Sequence, residues 1–102
     1  MERHRYITTH TYQTPDGQAY FEFGFYQKGY ILEIDILYMP SYNYRNAGLH
    51  YTHRLTSERG GYKICFGDPT VCNSVYTARK WSEMWAIHTW NYIRYGKGFP
   101  NV

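Results

Sequence analysis

The sequence predicts an α+β domain, a five-stranded antiparallel β-meander with one C-terminal α-helix packed across one face. Three observations carry that expectation. Apolar and polar residues alternate with period two over the first two thirds of the chain, and Gly- and Pro-containing turns cut that part into short runs. The last third then changes to a helical period. At 102 residues the chain has room for a single domain, 1–102, with one modest core.

The elements follow in order. Pro15-Asp16-Gly17 separates a strand over 5–14 from one over 18–26, and Gln27-Lys28-Gly29 separates that from a strand over 30–39. An irregular stretch, 40–48, precedes a strand over 49–55. Ser57-Glu58-Arg59-Gly60-Gly61 leads to a strand over 62–66, which ends at Gly67-Asp68-Pro69 because proline cannot donate to a ladder. A helix is predicted over 74–95, with Asn73 as its N-cap, Arg94 in its last turn and Gly96 after its end.

Residue parity assigns the faces, since side chains alternate across a strand. Phe21, Phe23 and Phe25 share one side of the second strand, and Leu32, Ile34 and Ile36 share one side of the third. Placing both rows in the core and setting Phe25 against Tyr30 puts Glu22 opposite Glu33. A type I turn with a glycine bulge at Pro15-Asp16-Gly17 pairs Thr14 with Gln18, which turns Ile7, Thr9 and Thr11 inward and sets His10 opposite Glu22. His10, Glu22 and Glu33 then form one row on the outer face, with Asp35 diagonal to it. In the fourth strand Leu49, Tyr51, His53 and Leu55 point inward and His50, Thr52 and Arg54 outward. Matching Leu55 to Tyr62 turns Ile64 and Phe66 inward and Lys63 and Cys65 outward. Strands two and three are expected at the centre, with strand one or five at an edge.

On the helix, Ala78, Trp81, Trp85, His88, Tyr92 and Tyr95 fall within one arc, with Met84 beside it. Arg79, Glu83, Arg94 and Trp90 lie opposite. Trp81 and Trp85 are the expected anchors, because buried aromatics remove large areas from water.

Composition excludes several classes. Aromatic residues are 21% of the chain and charged residues 19%, with no charge block or low-complexity tract, which argues against disorder. No apolar run is long enough to span a membrane. The N-terminal residues lack an apolar core, so no secretory signal is expected, and the two cysteines, Cys65 and Cys72, read as free thiols of a cytoplasmic protein. A net charge of +3 is too small for a duplex-DNA binder. Tyr12, Tyr20 and Tyr26 could stack single-stranded bases, but Glu22, Glu33 and Asp35 on the same face would repel phosphates, so nucleic acid is not an expected partner.

Three sets of residues are candidate sites. The segment 38–46, with Tyr42, Tyr44 and Arg45, has the Tyr/Ser/Asn/Arg composition of binding surfaces, and an exposed Trp90 would add to it. Against this, the tyrosines could fold back over the sheet edge, and the tail 98–100 could cover Trp90. Trp81, Trp85, His88 and Tyr92 could line a pocket between helix and sheet, although a mid-stripe histidine is ordinarily satisfied within a core. His10, Glu22, Glu33 and Asp35 could bind an ion or serve acid–base chemistry, since like charges facing each other need an offset. Arg54 or Lys63 would supply that offset in an ordinary polar sheet face. His50 and His53 are separated by an odd number in a strand, so they cannot share a metal. There is no glycine-rich phosphate loop, nucleophile motif or paired-cysteine motif.

The leading expectation is a small soluble non-enzymatic interaction module that binds a protein partner, or itself as a homo-oligomer, through Tyr42, Tyr44, Arg45 and Trp90. One alternative is a small-molecule-binding domain using the aromatic pocket. The other is a small enzyme or metal binder using the His/Glu/Glu/Asp cluster. No cofactor or metal is expected.

Overall fold

A computed structural model describes residues 6–100, so the predicted first strand's start at Arg5 lies outside the described residues. Strand β1 (Thr8–Gln13) pairs antiparallel with β2 (Tyr20–Lys28), and β2 with β3 (Ile31–Tyr38). After an irregular stretch come a single helical turn, α1 (Leu49–Thr52), and a hairpin of β4 (Arg54–Thr56) and β5 (Tyr62–Ile64). A 3-10 turn over Pro69–Val71 leads into the long helix α2 (Val75–Tyr95). The protein is therefore an α+β fold with a five-stranded antiparallel sheet and one long C-terminal helix.

The strand order is β1-β2-β3-β5-β4. The last hairpin thus departs from a simple meander: its second strand joins β3 through Asp35↔Lys63 and Ile36↔Tyr62, and β4 takes the edge. Beyond β5, Pro69–Val71 and Cys72 run beside the start of β3, where the Leu32 amide donates to the Cys72 carbonyl at 2.8 Å.

The second hairpin keeps the predicted faces through a tighter turn. Lys28 pairs with Ile31, leaving Gly29 and Tyr30 as a two-residue loop, and Gly29 takes φ +64° at the position a type II′ turn reserves for glycine. Phe25 consequently faces Ile34 and Phe23 faces Ile36, while Glu33 lies opposite Tyr26 rather than Glu22. An extra residue at Leu37 bulges β3, so that Glu22 meets Tyr38. Phe21, Phe23, Phe25 and Ile34 are fully buried, with Leu32 beside them and Ile36 at the margin.

The first hairpin is shifted by one residue, and the shift reverses β1. Thr14 pairs with Ala19, not Gln18, because its hydroxyl accepts from the Ala19 amide and donates to Asp16, whose carboxylate also accepts from the Gln18 amide. These side-chain bonds hold a four-residue loop. A one-residue slip exchanges the faces of a strand. Thr8, His10 and Tyr12 therefore face the helix, and Thr9 and Thr11 face solvent.

The predicted fourth strand is corrected over most of its length. Leu49–Thr52 winds into a helical turn, with the Thr52 hydroxyl donating to the Gly48 carbonyl, and His53 takes a left-handed conformation (φ 52°). That residue resets the parity. Thr52 and Arg54 are buried, while Leu49, Tyr51 and Leu55 are exposed, the reverse of the predicted arrangement. Arg54 pairs with Ile64, and Thr56 rather than Leu55 with Tyr62.

Helix α2 starts one residue later than predicted, with the Ser74 hydroxyl accepting from the Thr77 amide, and ends at Gly96 (φ 71°). Its buried stripe is Ala78, Ser82, Trp85, Ala86, Thr89, Tyr92 and Ile93. Three phenylalanines already fill the sheet face, so small residues at four-residue spacing let the helix approach it. Trp85 stands edge-on to Phe21 and Phe23, each 6.1 Å away. Trp81 and His88 flank the stripe half-buried, and Met84 and Tyr95 are exposed.

Candidate functional site

The outer-face carboxylates are held in a charge-balanced network. Arg59, from the turn between β4 and β5, folds back over the sheet. Its Nε donates to Asp35 Oδ2 at 2.7 Å, and its Nη2 donates to Asp35 Oδ1 at 3.0 Å and Glu33 Oε1 at 2.7 Å. Lys63 bridges Glu33 and Glu58, and Lys28 adds a further contact to Glu58. Tyr6 and Ser57 complete Asp35 with hydroxyl donors at 2.8 and 2.9 Å. Burial works to raise the Glu33 pKa, but its bonds to Lys63 and Arg59 outweigh it and hold the carboxyl below its ordinary value. Burial, reinforced by the bond to Asp35, pushes the Tyr6 phenol up to about 12.

His10 and Glu22 do not join Glu33 and Asp35. His10 lies on the other face, where its Nε2 is 2.9 Å from Glu83 of α2. Glu22 stays on the outer face but meets Tyr38 and Thr11. The offsetting arginine is Arg59, whereas Arg54 is buried elsewhere. Among the described residues, no group of three or more His, Cys, Asp or Glu side chains could hold a metal ion. No helix among them is long and apolar enough to cross a membrane.

A cleft of about 250 Å³ opens between α2 and the β4/β5 side of the sheet. Trp81, Met84 and Trp85 form its helix wall, with Ile64 and Phe66 opposite. Trp81 and Phe66 meet edge to face at 5.6 Å. The Trp85 indole donates to the Thr52 carbonyl at 3.1 Å, which fixes that ring. His53, His88 and Cys65 are the polar groups of the cleft. Phe99 stacks on His53 at 4.4 Å and lies 5.6 Å from His88, covering one end. Burial, with smaller contributions from His53 and Lys97, holds the His88 pKa below its ordinary value, so at pH 7 the ring is neutral and can donate or accept. Tyr92 is absent from the cleft, because its hydroxyl reaches the Asn46 carbonyl at 2.7 Å. Phe66 and Phe99 complete the cleft from outside the helix; an aromatic in the tail is the sequence signal for Phe99, although the sequence suggests Trp90 as what the tail covers.

The loop residues divide. Tyr42 packs edge-on against Tyr92 at 6.2 Å, and Arg45 Nε donates to the Ile93 carbonyl at 3.2 Å, closing the end of α2. Tyr44 is 83% exposed, with the Arg45 guanidinium over its ring. Trp90 is half-buried, not exposed. Its indole donates to Asp16 Oδ2 at 2.9 Å, and Arg94 contacts the same carboxylate, so the first hairpin's turn covers it, while Phe99 of the tail packs on His53 and His88. No protein-family model, curated protein or solved structure matches the chain.

Proposed function

We propose that the protein binds a small, flat, largely apolar molecule in the cleft between α2 and the sheet. The observation that carries this reading is the combination of fixed aromatic walls, Trp81, Trp85 and Phe66, with few polar groups, the usual character of small-molecule sites. His53 and the neutral His88 would orient the ligand, and Phe99 would shift to admit it. The role is binding without catalysis. Two unbridged cysteines support a reducing compartment such as the cytoplasm.

The test uses N-phenyl-1-naphthylamine, an uncharged probe that fluoresces in apolar sites. The wild type is expected to bind it saturably, and Trp81→Ala to weaken binding at least tenfold while the fold, read by far-UV circular dichroism, persists. Saturable binding that Trp81→Ala leaves intact, or no binding by the wild type, would end the proposal.

Tyr44 favours a second reading, contact with a protein partner or another copy, since a tyrosine ring so far exposed is free to be covered. Light scattering of wild type and Tyr44→Ala tests the self-association form. A monomer in both removes it.

A further inference from the structure

Arg54 is the one strongly buried cation among the described residues without a carboxylate partner. Arg59 and Lys63, also largely buried, each reach two acidic side chains. Arg54 is 7% exposed, and no described carboxylate lies within ion-pair distance. Its partners are neutral: Nε donates to Thr52 Oγ1 at 2.9 Å and Nη2 to the Ala47 carbonyl at 2.7 Å. The guanidinium carbon lies 4.1 Å from the centre of the Tyr62 ring and 4.9 Å from that of Tyr42. Nη1 makes no hydrogen bond to a described residue. The Tyr42 hydroxyl is buried with no hydrogen-bond partner among the described residues. A buried guanidinium keeps its charge, so desolvation without an opposite charge is a standing cost.

Arg54 forms part of the wall of an open cavity of about 400 Å³ that shares no lining residue with the cleft, with Ile36, Leu37, Met39, Ser41 and Tyr62. We infer that this cavity is a second site, which takes a monoanionic carboxylate carrying a flat apolar body. The carboxylate would accept from the unused guanidinium nitrogen, and the apolar body would lie along Tyr62 and Met39. The charge balance selects a monoanion over a phosphate dianion: among the described residues Arg54 is the one cation that lines the cavity, with no lysine or second arginine beside it. The site needs neither the cleft nor its proposed ligand.

The probes are phenylacetate and its uncharged isostere phenylacetamide, followed by calorimetric titration and thermal melts of the full chain. Phenylacetate is expected to bind saturably and raise the melting temperature, and phenylacetamide to do neither. Arg54→Lys loses the planar fork, and Ser41→Trp fills the cavity mouth from an exposed position without touching the guanidinium. Each should weaken phenylacetate at least tenfold. If Arg54→Lys does not fold, Ser41→Trp decides. Trp81→Ala, which tests the cleft, should leave phenylacetate binding unchanged. Equal binding of the amide, undiminished binding to Ser41→Trp, loss of binding in Trp81→Ala, or no saturable binding by the wild type would each overturn the inference.

Discussion

Replacing Arg59 by Met removes the cation that two carboxylates share while keeping most of the side-chain volume. Asp35, 2% exposed, would keep only the Tyr6 and Ser57 hydroxyls as donors, and Glu33 would keep Lys63. Breaking a buried pair from one side costs about 3–5 kcal/mol, and the two hydroxyls left on Asp35 set the expectation at the low end, about 3 kcal/mol. For a domain of this length that loss corresponds to about 12–24 °C in melting temperature. Adding Asp35→Asn removes the orphaned charge, so the double variant should recover about 1–2 kcal/mol relative to the sum of the singles. Urea unfolding followed by tryptophan fluorescence at pH 7 measures each corner of the cycle. Because the pair is buried, the coupling should persist at high salt. A loss below about 1 kcal/mol for Arg59→Met, or strictly additive singles, would refute a buried, energetically shared charge network.

Three further outcomes are expected. In Gly24→Ala the new Cβ would meet the Tyr6 ring at 2.8 Å, so the ring must leave Asp35; the lost charge-assisted bond outweighs the gain in strand propensity, and urea unfolding should show a net loss of about 1–2 kcal/mol. In alkaline titration read at 295 nm, Tyr6 and Tyr42, both pushed up to about 12 by burial first, should ionise after the exposed tyrosines. Their folded pKa values are raised, so the stability they contribute is complete below pH 10 and is lost as pH rises through 12; ionisation of every tyrosine near 10 in the folded protein would contradict this. A disulfide reagent at pH 8 should label Cys65 alone, because burial pushes the Cys72 thiol up to about 11; both should react in denaturant, and two fast equivalents in the native protein would overturn that assignment.

Residue parity carried most of the core. Phe21, Phe23, Phe25, Leu32 and Ile34 alternate so strictly that any register with an even loop between β2 and β3 buries them together, which is why the layer survives a four-residue change in the expected pairing. Where parity hangs on one turn, it failed. The Thr14 and Asp16 side chains add a residue to the first loop, moving His10 to the helix face and dissolving the predicted acidic row. Likewise Leu49–Leu55 fits a period-two pattern, but Thr52 bonds back to Gly48 and His53 turns left-handed, so Arg54 enters the interior. Neither event has a hydrophobic signature. Half the cleft was legible, since Trp81, Trp85 and His88 share a helix face. Phe66 and Phe99 reach it from other segments, which helical periodicity does not register.

The end of α2 is strapped to the irregular stretch between β3 and α1. Arg45 reaches the Ile93 and Arg94 carbonyls, Tyr92 reaches Asn46, and a Cβ at Gly96 would collide with the Arg45 guanidinium at 2.7 Å. Arg54 in turn anchors that segment to β4 through Ala47. Amide hydrogens in the helix's final turn and in β4 should therefore exchange with deuterium at matching free energies, opening as one cooperative unit separate from the β2–β3 pair. Loosening the helix terminus would unlatch the opposite border of the sheet.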